Sequence, residues 1–173
     1  VRVTLNERGI PCYEICEGVA WDQLQLNDEI VSLAKRCDAI CFGTLAQRSE
    51  TSRQVIYSLI EAIPAERNAL IIYDINLRQH YYSKELIETS LNYCNILRIN
   101  DEEFLTIAEM LELGTNDYEI GARQIIERYG VGMVVVTCGE NGSFIVTENE
   151  ISQCDTPKEK GVDTVGAGDA FTA

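Results

Sequence analysis

Met133-Val134-Val135-Val136 is a run of strand length with no polar face, and it stops against Thr137-Cys138-Gly139-Glu140-Asn141-Gly142, a cluster of turn-forming residues. A strand that is apolar at every position must be covered on both sides, which is the condition of a central strand in a parallel sheet. Just beyond it the pattern changes. Asn141-Gly142 is a tight-turn signal, and residues 143–147 and 151–154 read as short antiparallel strands.

Working back from residue 133, apolar runs alternate with segments of helical period. Residues 117–129 and 101–113 are predicted helices, the second with Phe104, Ile107, Ala108 and Leu111 inward and Gly114 as its stop. Residues 95–99 form a weaker strand, 83–93 a helix, 69–73 a strand, 49–63 a helix ended by Pro64, 39–42 a strand and 27–36 a helix. Strands alternating with amphipathic helices predict a mostly parallel sheet covered by helices on both faces. No repeat or linker interrupts the pattern, so residues 1–173 read as one domain.

The bulk numbers exclude several classes of function. A net charge of −14 opposes nucleic-acid binding, which needs clustered Lys and Arg. It also means that a phosphate ligand must be met by backbone N–H groups, an Arg or a metal ion. No apolar run reaches the length that crosses a bilayer, so no membrane partner is expected. The seven Cys lack paired zinc-ligand spacing and the single His is His80, so small buried hydrophobes in a reducing, cytoplasmic setting are expected.

In open α/β sheets, ligands bind beyond the carboxyl ends of the strands. Four successive predicted strands end in polar or small clusters: residues 43–48, 74–78 (with Asn76 and Arg78), 100–103 and 137–142. Turn chemistry alone explains each cluster. Asn100-x-x-Glu103 equally fits a helix cap, with Asn100 accepting from the third residue and Glu103 reaching back. In so acidic a chain, however, an Arg at a strand exit, such as Arg78, is a candidate phosphate or substrate contact.

The richest segment is Asp163-Thr164-Val165-Gly166-Ala167-Gly168-Asp169-Ala170-Phe171. A dinucleotide fingerprint would need a glycine where Phe171 stands and a strand just before, and a Walker A loop would need Gly-Lys-Ser/Thr. Neither is present. What remains is a small-residue turn feeding a helix, whose successive N–H groups can face one anion. Asp169 in the first turn either stabilises the helix dipole or takes a proton from a hydroxyl that attacks phosphorus.

Asp163-Thr164-Val165-Gly166-Ala167-Gly168-Asp169 resembles the C-terminal signature of the ribokinase, or PfkB, carbohydrate kinases. Asp74-x-Asn76-x-Arg78 resembles a segment of fructokinase and ketogluconate kinase members, Asn100-x-x-Glu103 the magnesium and phosphate motif, and Thr137-x-Gly139-x-x-Gly142 the nucleotide loop. Residues 42–48 are most similar to bacterial fructokinase-like members. The resemblance spans the chain but only the middle of the family's pattern, which implies a piece of a longer protein, with residues 1–16 a remnant of the lid or of the strand after it.

The resemblance implies a partial ribokinase-like three-layer α/β/α sandwich that carries phosphoryl transfer from ATP to a sugar hydroxymethyl group. Asp169 would be the general base, and Gly166, Ala167 and Gly168 would hold the transferred phosphoryl oxygens. Thr137, Gly139 and Gly142 would contact nucleotide phosphates, and Asn100 and Glu103 would hold Mg²⁺ through water. Arg78 and Asn76 would contact substrate, and Asp163 and the Val165 carbonyl would bind a monovalent cation, K⁺, as in some relatives. Lid strands in this family often pair between subunits, which implies a homodimer. Other acceptors (nucleoside or ketogluconate) and a silent nucleotide-binding module are the competing readings, and the sequence does not choose the sugar.

Overall fold

The computed structural model describes residues 2–5, 11–157 and 166–173. Strands β1 (Arg2–Leu5) and β2 (Pro11–Glu14) pair antiparallel as a two-stranded sheet of their own, with Arg2 opposite Glu14 and Leu5 opposite Pro11. Helix α1 (Asp28–Ala34) follows. The main sheet then alternates with helices: β3 (Ala39–Gly43), α2 (Glu50–Glu61), β4 (Leu70–Asp74), α3 (Lys84–Tyr93), β5 (Ile96–Asn100), α4 (Asp101–Met110), α5 (Tyr118–Tyr129), β6 (Met133–Thr137), β7 (Ser143–Val146), β8 (Ile151–Cys154) and the short α6 (Ala167–Thr172).

The six strands lie in the order β3-β4-β5-β6-β7-β8. The first three pairings are parallel and the last two antiparallel, as the change of pattern after Gly142 predicts. The centre of the sheet is buried on both faces. Leu97, Ile99, Val134 and Val136 have no exposed surface, and Arg98 and Val135 between them are also buried. Burying each such aliphatic side chain is worth about 1.5–3 kcal/mol. Helix α5 packs on β6 and β7, α4 on β5 and β6, and α3 on β4 and α5.

Two expectations need correction. Coverage on both faces fails at β3 and β4, where Ala39, Cys41 and Leu70 are exposed and no described helix covers that face. Cys41 is accordingly exposed, Cys154 is exposed on the opposite edge strand β8, and Cys94 and Cys138 are buried as expected. Helix α4 also ends earlier than residue 113. It stops at Met110, and Glu112, not Gly114, takes the first left-handed position (φ 56°). The Leu113 N–H then donates to the Ala108 carbonyl at 2.9 Å and the Glu112 N–H to Glu109 at 3.1 Å, a Schellman closure. The closure buries Leu113, and that burial offsets the cost of a non-glycine residue in the left-handed region.

Parallel register aligns the strand ends. Gly43 is opposite Asp74, Asp74 opposite Arg98, and Asn100 opposite Thr137. Polar residues separated by dozens of positions in sequence therefore arrive on one rim.

Candidate active site

The rim is built around one ion pair. Arg98 Nη1 donates to Asp74 Oδ1 at 3.1 Å, across adjacent strands, with both side chains about nine-tenths buried. Its Nη2 donates to Thr137 Oγ1 at 3.1 Å, which links β5 to the end of β6. The other oxygen of Asp74, Oδ2, lies 3.0 Å from the Thr172 hydroxyl, on α6. Three strands and the signature helix are thus tied through two charged side chains.

Asn100 and Glu103 form the capping box that their spacing suggested. Asn100 Oδ1 accepts from the Glu103 N–H at 2.8 Å, and Glu103 Oε2 accepts from the Asn100 N–H at 3.1 Å. Glu103 Oε1 also accepts from the Leu77 N–H at 2.9 Å, so this one buried carboxylate fixes the loop after β4 as well. Asn76 in that loop is left-handed (φ 44°), and Arg78 lies 3.9 Å from Glu103 with its side chain 47% exposed. Both Glu103 oxygens hold a backbone N–H, so a divalent cation would be met through water, which suits Mg²⁺ and its retained hydration shell.

After β6 the chain makes a tight turn closed by the Cys138 N–H donating to the Gly142 carbonyl at 2.8 Å. Gly142 (φ 95°, ψ −150°) occupies backbone space open only to glycine. A Cβ there would lie 2.2 Å from the Cys154 carbonyl oxygen. The loop is therefore pressed against the end of β8, and Thr156 Oγ1 donates to the Gly139 carbonyl at 2.6 Å to hold it there.

Gly166 starts α6 from a left-handed conformation (φ 78°). The first-turn amides of Ala167, Gly168 and Asp169 have no acceptor within the helix, as at any helix start. Gly168 sits against Arg98, since a Cβ on it would be 2.9 Å from Nη2. Asp163 and Val165 lie outside the described residues.

Two cavities meet here. One of about 750 Å³ is lined by Thr137, Gly139, Gly142, Ala167 and Phe171, among others. The other, of about 490 Å³, is lined by Asn76, Arg78, Gly166 and Asp169. Arg98, Asn100 and Gly168 line both. All the expected contact residues within the described chain reach this rim except Glu103, which supports it from beneath.

The pfkB family carbohydrate kinase model matches residues 18–173. The chain belongs to the PfkB family of carbohydrate kinases. Among curated relatives, a fructokinase of Salmonella thompson is 25% identical over 135 residues, 75% of this chain and 58% of that protein. A nucleoside kinase of Methanothermobacter thermautotrophicus is 33% identical over 104 residues, 60% of this chain and 31% of that protein. Among solved structures, a double mutant of fructokinase from Vibrio cholerae, bound to fructose, ADP and potassium ion, superposes with a TM-score of 0.65 at 24% identity, over 78% of this chain and 43% of that one. The chain spans roughly half the length of the first curated PfkB relatives, 42–58%. The fold is that of the ribokinase-like PfkB kinases: a mostly parallel sheet layered with helices.

Sequence reasoning missed Arg98 and Thr172 as parts of this site, and it placed Asp74 in the Asp74-x-Asn76-x-Arg78 segment without giving it a role. Arg98 carried a signal, because it breaks the apolar run Ile96-Leu97-Arg98-Ile99 at a position that must be buried. Thr172 carried none, since its role depends on where α6 meets β4. The first polar cluster turned inward instead. Gln47 is fully buried, bonded to the Gly43 carbonyl and to Ser90, and Thr44 bonds Tyr73 Oη at 2.7 Å.

Proposed function

We propose that this chain carries the phosphoryl-transfer half of an ATP-dependent kinase that phosphorylates a hydroxymethyl group of a small sugar, in the manner of fructokinases. The observation that carries the reading is the pairing of cavities. A cleft lined by the Thr137, Gly139 and Gly142 loop suits a nucleotide, the second holds Asp169, and the start of α6 lies between them. In this reading Asp169 takes the proton from the acceptor hydroxyl as its oxygen attacks the terminal phosphorus. The amides of Gly166, Ala167 and Gly168 face the charge that spreads over the transferred oxygens.

Thr137, Gly139 and Gly142 hold the nucleotide phosphates, and Asn76 and Arg78 contact the acceptor or its phosphate. Asn100, with Glu103 behind it, would hold Mg²⁺ through water, and when bound the ion neutralises phosphate charge. Asp163 and the Val165 carbonyl would hold K⁺. The sugar reading is preferred to the nucleoside one because residues 42–48 and Asp74-x-Asn76-x-Arg78 resemble fructokinase-like members. The enzyme is cytoplasmic and pairs as a homodimer through the β1 and β2 hairpin, so sedimentation at micromolar concentration should give twice the monomer mass. A monomer would remove that part.

The decisive experiment is Asp169→Asn in the intact protein, with ADP release measured across a panel of sugars and nucleosides. Loss of a general base should lower acceptor-dependent turnover by about 10²–10⁴-fold with ATP affinity retained. Unchanged turnover excludes Asp169 as the base, and ADP release driven only by nucleosides excludes the sugar.

A further inference from the structure

Arg98 is 9% exposed, in a strand that is otherwise apolar until Asn100. A buried guanidinium persists only where its charge is paired and its N–H groups are oriented. Asp74 supplies the charge and Thr137 an acceptor, and Nε is enclosed with no hydrogen-bond partner among the described residues. The position is costly for a residue that merely fills space. It is also singular, because the guanidinium lies under Gly168, the residue before Asp169, and forms part of the wall shared by both cavities.

We propose that Arg98, oriented by Asp74, is the positioning residue for phosphoryl transfer, setting the Thr137 hydroxyl on the nucleotide side and the Gly168 turn on the acceptor side. The inference rests on Asp169 being the base. A single planar side chain then fixes donor wall and base relative to each other, a task that suits the rigid fork of Arg and not the flexible stem of Lys. Thr172, bonded to both Asp74 Oδ2 and the Gly168 carbonyl, closes the circuit from the helix.

The pair also belongs to the charged surroundings of Asp169. The groups around it are Asp74 on β4, Arg98 on β5, Arg78 after β4 with Glu103 behind it, and Cys41 on β3. The Cys41 thiol is pushed up by its partial enclosure and by the negative charges of Asp74 and Asp169, so all three share one electrostatic neighbourhood. Removing either member of the buried Arg98–Asp74 pair leaves the other charge uncompensated beside the Gly168 turn.

The test measures kcat, KM for ATP and KM for the acceptor in the intact protein for Arg98→Met, Arg98→Lys and Asp74→Asn. Misplacement on the scale of an ångström predicts a kcat about 10²-fold lower in Arg98→Met with a smaller change in either KM. Arg98→Lys keeps the charge without the fork and should not restore kcat, which separates charge from geometry. Asp74→Asn loosens the guanidinium and should lower kcat by a smaller factor, again with little change in KM. If Arg98→Met fails to fold, Arg98→Lys and Asp74→Asn carry the test. Near-normal kcat in Arg98→Lys, or in Asp74→Asn, overturns the proposal. Such a result with Asp169→Asn inactive leaves the base reading standing, whereas an active Asp169→Asn removes that reading by itself.

Discussion

Gly142 shows how far one missing side chain can shape a loop. Adding a methyl group there would place it inside the Cys154 carbonyl and 3.1 Å from Asp155 Cα, neither of which is a flexible side-chain end. The left-side backbone conformation is strained for alanine as well. Gly142→Ala should therefore destabilise the fold by about 2–4 kcal/mol, read from urea unfolding, and weaken nucleotide binding alongside. Full retention of both would contradict the close approach. That Gly142 mattered was legible from its place in Thr137-x-Gly139-x-x-Gly142, but its neighbour was not, since Cys154 belongs to a strand that only folding brings near. Arg98 illustrates the opposite failure. Its residue type announced something unusual inside a strand, yet only the Asp74 to Arg98 register shows what it is for.

At the scale of elements, the strands and helices were readable because their periods were clean, and the misread point was a local exchange of costs. Gly114 is the better left-handed residue, but ending α4 at Met110 places Leu113 in the core, and tertiary burial overrode the local signal. The turn between β2 and α1 depends on a pair that no sequence pattern exposed. Arg48 grips both oxygens of Asp22 at 2.8 Å, donates to the Cys16 carbonyl at 2.6 Å, and lies 4.5 Å from the centre of the Tyr81 ring. Its hydrogen bonds hold the Asp22 carboxyl below the usual carboxylate range. A depressed folded-state value stabilises the fold above the unfolded value near pH 4, and that contribution is lost as pH falls through the folded value. Wild type and Asp22→Asn should thus differ most in melting temperature at neutral pH and converge in strong acid. A constant gap across pH would show that Asp22 acts through shape alone.

For the whole molecule, charge governs how ligands arrive. The chain carries −14, and Asp101, Glu102 and Asp155 line the proposed nucleotide cavity, where Arg98 is the only cationic lining residue among the described residues. An anionic nucleotide approaches against this field, so raising ionic strength from about 10 to 200 mM should speed ATP association, the reverse of a basic binding funnel. Stopped-flow binding that slows with salt would contradict it. The sheet architecture as a whole followed from alternation of apolar runs and helices, whereas the bare face at β3 and β4 did not. Periodicity reports that a surface is apolar without naming what covers it.

The cross-strand pairing of Asp74 with Arg98 has a consequence for assembly of the protein itself. Sliding β5 by one residue against its neighbours would turn the guanidinium into the aliphatic layer occupied by Leu97 and Ile99, and bring leucine or isoleucine opposite a carboxylate. Apolar strands such as these slip cheaply when only hydrophobic contacts guide them. Here a mis-threaded sheet would strand two opposite charges apart in oil, so the pair works as a gauge that discards wrong alignments before the chain locks.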